Sequence, residues 1–333
     1  MLQPCPCLRP DAQLRIANHG VEIELTDAVF SVSGLPEVPL LQAIMSMNGL
    51  LDVAAIARQS GLSPHAVQIV VRRLEQVELL GYVSPMTGDA FSPDSFNTLC
   101  ASLYRQWKAR LFAHPLWTGM AQGSLPRSVF IGWVVESWWF VTGIQERLPM
   151  AIACCEDPTL RAMFARHFAQ EWDHFRYFER ALDELEVTLE ERKRSLPLPA
   201  TRALLHLMRA AARVDPLRYA VCSGFLESTS SDRADARAFF DRVAIRYGGA
   251  DQACVRPMAE HLALDEEYGH EGVVRRVTRA VGPIERARAC SALRDAFALV
   301  ETLEMWSTDI LRHYQSSAAF PLCAQRSYRG VRK

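Results

Sequence analysis

Between residues 126 and 281 this chain places ionisable side chains where a helical protein keeps its apolar ones. Over 126–147, Val129, Gly132, Trp133, Trp139, Phe140, Gly143 and Ile144 recur at helical spacing, and Glu136 stands in their middle. Over 157–186 the stripe is Leu160, Met163, Phe164, Phe168, Phe175, Phe178, Leu182 and Leu185, with His167, Glu171 and His174 inside it at i, i+4 and i+7. Those offsets differ by roughly 40° or less around a helix, so the three side chains share a face. Over 216–231, Glu227 follows Ala220 and Gly224 on one face. Over 251–281, Cys254, Met258, His261, Asp265, Tyr268 and Gly272 alternate at three and four residues, which turns His261 and Asp265 inward.

A single buried acid is explained by an arginine partner. Acids on four helices, with histidines among them, need more positive charge than that, because an unpaired buried carboxylate is strongly destabilising. Arg147, Arg161 and Arg166 are near in sequence but off the stripes. Metal ions would supply the charge directly, and inward Glu and His from several helices build the dinuclear sites of helical bundles. The competing reading is a structural polar network with no metal. Trp133, Trp138 and Trp139 read as packing, and "ERKR" at 191–194 reads as a solvated loop.

The surrounding pattern is helical from Ser95 to Ser316. Candidate helices cover 95–113, 126–147, 157–186, 200–213, 216–231, 234–247, 251–281 and 284–315, punctuated by Pro, Gly and Asp with no strand-like alternation between them. The opening differs. "GVEIELTDAVFSV" at 20–32 predicts a hairpin, and helical patterns follow at Leu40–Met47, Asp52–Gln59 and Pro64–Leu79. Asp52 and Ser63 are the expected N-caps, Pro64 the first helical residue and Gly61 a helix end. "ELLGYVSP" then turns at Gly81 into a strand. The expected organisation is a tail over 1–19, a winged-helix-like domain over 20–92, a helical domain over 93–316 and a basic tail over 317–333.

Composition excludes several roles. A formal net charge of -1 gives no electrostatic case for nucleic acid, and the third helical pattern sets Arg72 and Arg73 against Glu75 and Glu78. The most apolar run, Val129 to Val141, is broken by Glu136 and is too short to span a membrane. The N-terminus lacks the pattern of a secretory signal. The nine cysteines are odd in number and scattered, which predicts reduced thiols in a cytoplasmic protein; the pair Cys5 and Cys7 is read as incidental.

Taken in order, Glu136, "QEWDHF" with Glu171 and His174, "GFLES" with Glu227, and "HLALD" with His261 and Asp265 resemble the haem-oxygenase-like diiron oxidases. These are relatives of thiaminase II and of the cofactor-free oxidase of pyrroloquinoline quinone biosynthesis. The resemblance runs from Ser95 to Gly282, with 53 residues from His174 to Glu227 and 34 more to His261. It implies a mainly α fold, a seven-helix bundle whose metal ligands are drawn from Glu136, Glu171, His174, Glu227, His261 and Asp265. It also implies two iron ions (manganese suits the same donors), O2 as co-substrate, and peroxo-diiron chemistry on an amino-acid-, amine- or peptide-derived substrate in a biosynthetic pathway.

The departure is at Tyr268, where the family's H-x-x-x-D-x-x-H pattern ends in histidine. Three outcomes are open. His167 supplies the missing nitrogen; Tyr268 binds as a phenolate or stays unligated; or the pocket holds no metal and Tyr268 with the histidines handles protons, as in the cofactor-free relative. Tyr268 is therefore the catalytic candidate. The stretch "LPEVPLLQAIMSMNGLLDVAAIARQSGLSPHAVQIVVRRLEQVELLGYV" resembles the winged-helix modules that bind leader peptides in modified-peptide biosynthesis. That implies a carrier- or leader-peptide-linked or small-molecule substrate, with peptide binding by residues 20–92 at a sheet edge. The short, Glu136-broken apolar run predicts no membrane partner, and a homodimer is left open. Two alternatives stand beside the oxidase: a cofactor-free oxidase on the same fold, and a non-enzymatic peptide- or DNA-binding protein. The retained buried acids oppose the last, since a vestigial core would exchange them for apolar residues.

Overall fold

A strand near the N-terminus, in a segment expected to be a tail, closes the first module. The computed structural model describes residues 5–9, 12–17, 20–25, 28–49, 51–77, 79–83, 90–228, 233–248, 253–268 and 272–315. β1 (Cys5–Leu8) pairs antiparallel with β5 (Leu80–Val83), Leu8 opposite Leu80. β2 (Gln13–Ala17), β3 (Gly20–Glu24) and β4 (Val29–Ser33) form an antiparallel sheet with β3 in the centre. The hairpin expected over 20–32 is thus present as β3–β4, while 1–19 contributes two strands. The reason is burial: Cys7 and Leu8 are almost fully enclosed, and Leu8 joins Ile23, Leu40, Ile44, Ile56, Val67 and Leu74 in one apolar core.

Three helices complete the module: α1 (Glu37–Met45), α2 (Val53–Ser60) and α3 (Pro64–Gln76). Their ends follow the punctuation of the sequence. Asp52 accepts from the Ala55 N–H at 2.7 Å and Ser63 from the Ala66 N–H at 3.1 Å. Gly61, with φ of 74°, ends α2 in the left-handed conformation that glycine adopts without a Cβ penalty.

The chain divides into two compact units. The first comprises Met1–Arg110, Asp215–Arg233 and His270–Phe297, so that most of α4 (Pro93–Phe112), α12 (Pro216–Glu227) and α15 (Val273–Val281) belong with the N-terminal module. β6 (Ala90–Phe91) and β7 (Ile284–Glu285) pair here. Two residues on each side leave no alternation for a sequence to display. Helix α12 lies against α15. Gly224 permits this, since a Cβ there would sit 2.0 Å from Cγ2 of Val274.

The second unit comprises Leu111–Val214, Ala234–Gly269 and Ala298–Lys333. It contains α5 (Pro115–Gln122), α6 (Arg127–Thr142), α7 (Ile144–Cys154), α8 (Pro158–Glu171), α9 (Phe175–Glu184), α10 (Leu189–Arg194), α11 (Pro199–Val214), nearly all of α13 (Arg233–Tyr247), α14 (Arg256–Tyr268) and the second half of α16 (Arg286–Gln315). Helix α6 is its centre. Every residue from Val129 to Trp138 is buried, the signature of a helix surrounded by others rather than one facing water. It packs on α7, α9 and α11. Trp133 lies 5.9 Å from Trp117 and 6.3 Å from Phe239, ring to ring, in the packing role expected of it.

Several expected helices are divided. Gly143 separates α6 from α7, and the 157–186 and 251–281 stretches each become two helices. Helix α5, between His114 and Gly123, was not expected; its N-cap is the His114 imidazole, which lies outside the usual capping residues. "ERKR" is helical rather than a solvated loop. Thr188 and Glu191 form a reciprocal capping box, and buried Arg192 pairs with Asp183. No described helix is long and apolar enough to cross a membrane.

Candidate functional site

The junction between α8 and α9 is where the helical stripe becomes a site. Trp172 N–H still bonds four residues back to Phe168 at 2.9 Å. Beyond it the ladder tightens: His174 bonds to Glu171 at 3.2 Å, Arg176 to Asp173 at 2.9 Å and Tyr177 to His174 at 3.1 Å, each three residues back. This is 3₁₀ geometry, in which side chains at i and i+3 eclipse. Glu171 and His174 therefore stand one above the other, with His174 Nδ1 3.2 Å from Glu171 Oε2. Both are buried, at 8% and 1% exposure.

Helix α14 packs against α9 and brings His261 to this pair. The rings of His174 and His261 are 4.7 Å apart and nearly perpendicular, at 78°. Tyr177 and Phe178 wall His261, each ring 5.7 Å away, and Arg180 binds Glu260 at 2.7 Å beside it. His167, one turn before Glu171 on α8, is also buried. The fold thus unites Glu171, His174 and His261, three residues that the sequence placed on two separate stripes. Tyr177 was missed, although its position three residues after His174 was the available signal.

Glu136 is as buried as expected, at 0% exposure, but its carboxylate has other company. Oε2 accepts from the Leu198 N–H at 3.0 Å and from the Thr201 hydroxyl; Oε1 accepts from the Tyr314 hydroxyl at 2.9 Å. Burial raises its pKa, the three hydrogen bonds oppose that rise, and the charge of Asp309 adds to it. Arg147, though buried, does not pair with it. It donates to the Phe140 carbonyl at 2.9 Å and lies over the Phe140 ring at 4.7 Å, which serves the end of α6.

Glu227 belongs to the first unit. It ends α12 and accepts from the Ser223 hydroxyl at 2.6 Å. Its charge, after burial and the neighbouring Cys100 and Cys222, contributes to the raised pKa of Tyr104. Asp265 and Tyr268 lie on α14, one and two turns beyond His261, and their side chains fall outside the described residues.

One carboxylate and two imidazoles are, in kind, donors that suit iron, manganese or zinc. Among the described residues no three His, Cys, Asp or Glu side chains come close enough together to enclose an ion. The set Glu171, His174 and His261 fits a metal by its chemistry and needs a further donor.

Similar proteins fit this arrangement of helices. A solved structure from Shewanella denitrificans, described as a domain of unknown function with a heme oxygenase-like fold, aligns with a TM-score of 0.54. It is 14% identical and covers 67% of this chain and 93% of its own. The fold is haem-oxygenase-like. A TenA homologue from P. horikoshii, 17% identical, aligns at 0.52 over 65% of this chain and 98% of its own. A TenA homologue from Pseudomonas syringae pv. tomato, 14% identical, aligns at 0.54 over 70% and 97%. The TENA/THI-4/PQQC family matches residues 102–237. No curated protein matches the chain. The haem-oxygenase-like architecture is thus preceded by a small region that contains the strands β1–β5.

Proposed function

We propose that this protein is an oxygen-dependent oxidoreductase with an iron centre built in the second unit on Glu171, His174 and His261. The reading is carried by the contact of buried Glu171 and His174, at one 3₁₀ turn, with the half-buried His261 ring of α14, 4.7 Å from that of His174. Asp265 completes the donor set, His167 is the reserve nitrogen ligand, and Tyr268 is the acid–base candidate. Bound iron supplies the capacity to activate O2. The protein's residues do the rest. Glu171 contributes negative charge in a dry setting, where its attraction for a cation is strongest. It also holds the His174 ring within 3.2 Å, which restrains its orientation. Tyr177 and Phe178 pack their rings against His261 and restrict its orientation. The substrate class that goes with this reading is an amino-acid-, amine- or peptide-derived molecule.

The test is iron content of anaerobically purified protein grown with iron, followed by oxygen uptake on exposure to O2. Bound iron that falls in Glu171→Gln and His261→Ala supports the proposal. Full iron in both variants overturns it. A cofactor-free oxidase on the same fold is the second reading, favoured by the 3.2 Å contact of Glu171 with His174. In it the Glu171–His174 pair moves protons. Oxygen uptake that survives a chelator selects it over the first.

A further inference from the structure

Helix α11 begins without a cap of its own. Pro199, its first residue, suits that position, but the residue before it is Leu198, whose side chain has no acceptor. The backbone donors at this helix start are served from other helices. Glu136 of α6 takes the Leu198 N–H and the Thr201 hydroxyl, and Asp309 of α16 takes the Ala200 N–H at 3.3 Å. Two carboxylates at a helix N-terminus also meet the positive end of its dipole.

The same Glu136 holds the last turn of α16. Tyr314 is fully buried and donates to Oε1 of Glu136, while its backbone carbonyl accepts from the Ser128 hydroxyl at 2.8 Å. Its ring lies on the backbone of α6 at Gly132, where a Cβ would sit 2.2 Å from the Tyr314 Cγ. Three of the roughly four acceptor sites of this carboxylate are thus engaged in joining helices.

We propose that Glu136 is a positioning residue, the cap in trans of α11 and the anchor of α16 on α6, and not a metal ligand. The inference stands on these contacts and is independent of the iron centre. It separates two carboxylates that the sequence pattern treats alike: Glu171 beside imidazoles, Glu136 among hydroxyl and amide donors. Glutamine is a close substitute for an anchor. Its carbonyl oxygen accepts from Leu198 and Thr201, and its NH₂ donates to the Tyr314 oxygen. Glutamine is a poor substitute for an anionic ligand.

The experiment compares Glu136→Gln, Glu136→Leu, Tyr314→Phe and the Glu136→Leu/Tyr314→Phe double variant by thermal unfolding. Iron stoichiometry and oxygen uptake of Glu136→Gln and Glu171→Gln are measured in parallel. Glu136→Gln is expected to keep its Tm within a degree or two and to retain iron. Glu136→Leu is expected to lose about 3–8 °C, by stranding buried donors. The double variant is expected to be no worse than Glu136→Leu alone, because both remove one interaction. Loss of iron from Glu136→Gln at unchanged Tm overturns the proposal, as does an unchanged Tm in Glu136→Leu. If the unmodified protein binds no iron, the function proposed above fails, and the Tm comparison still decides this one.

Discussion

His174 Nδ1 and Glu171 Oε2 lie 3.2 Å apart because the chain between α8 and α9 winds as 3₁₀ rather than α. In an α-helix the i, i+3 pair is offset around the axis; the tighter winding eclipses it. Replacing Glu171 by Gln keeps the shape and removes the charge. It is expected to weaken iron binding by about ten-fold or more, with Tm little changed. A chelator competition series on both proteins measures this.

His114 gives the second unit an acid-sensitive helix start. Its Nδ1 accepts from the Leu116 N–H at 3.1 Å, which requires that nitrogen to carry no proton. Its Nε2 lies 3.1 Å from the Thr308 hydroxyl, which itself donates to Glu304, so the imidazole donates there. Burial lowers the His114 pKa below its usual 6.5. The folded state therefore binds this proton less readily than the unfolded state. The stabilisation is complete above 6.5 and is lost as pH falls through the depressed folded value. In His114→Asn, which caps without titrating, the fall in Tm on acidification is expected to be shallower. A pH series of melting curves reads the difference.

Gly132 is required by the ring of Tyr314. A methyl group at this position meets the ring's carbons at 2.2–2.4 Å, closer than atoms approach. Gly132→Ala is expected to destabilise the protein by about 1–3 kcal/mol, despite the higher helix propensity of alanine. Gly132→Ala in a Tyr314→Ala background is expected to lose that cost. Denaturant unfolding of the pair checks it.

Glu186 occupies a glycine position. Helix α9 ends in a Schellman motif, with Val187 N–H bonded to Leu182 at 2.9 Å and Glu186 N–H to Asp183 at 3.0 Å. The residue in the left-handed conformation is Glu186, with φ of 63°. Glu186→Gly is expected to stabilise by about 1 kcal/mol, the strain of a Cβ in that region. Chemical denaturation of the two proteins tests the sign.

Much of this was written into local sequence. Asp52, Ser63, Pro64 and Gly61 act where their chemistry demands, because a cap or a left-handed turn is decided within four residues. The burial of Glu136, His167, Glu171 and His174 followed from their places on apolar stripes, since periodicity identifies the inward face of a helix. The strands at Cys5–Leu8 and Ala90–Phe91 were not legible. Each is short, and each becomes a strand only through a partner distant in the chain, Leu80–Val83 and Ile284–Glu285.

What periodicity cannot specify is the neighbour that an inward side chain meets. Glu136 and Glu171 occupy equivalent places on their stripes, yet one faces a histidine and the other a tyrosine 178 residues away. That choice depends on how α9, α11, α14 and α16 pack. Packing is a property of many side-chain volumes at once, not of any one stretch. The sequence alone therefore determined a helical protein with acids and histidines in its interior. Tertiary structure decided which acid stands beside the imidazoles and which one ties helices together.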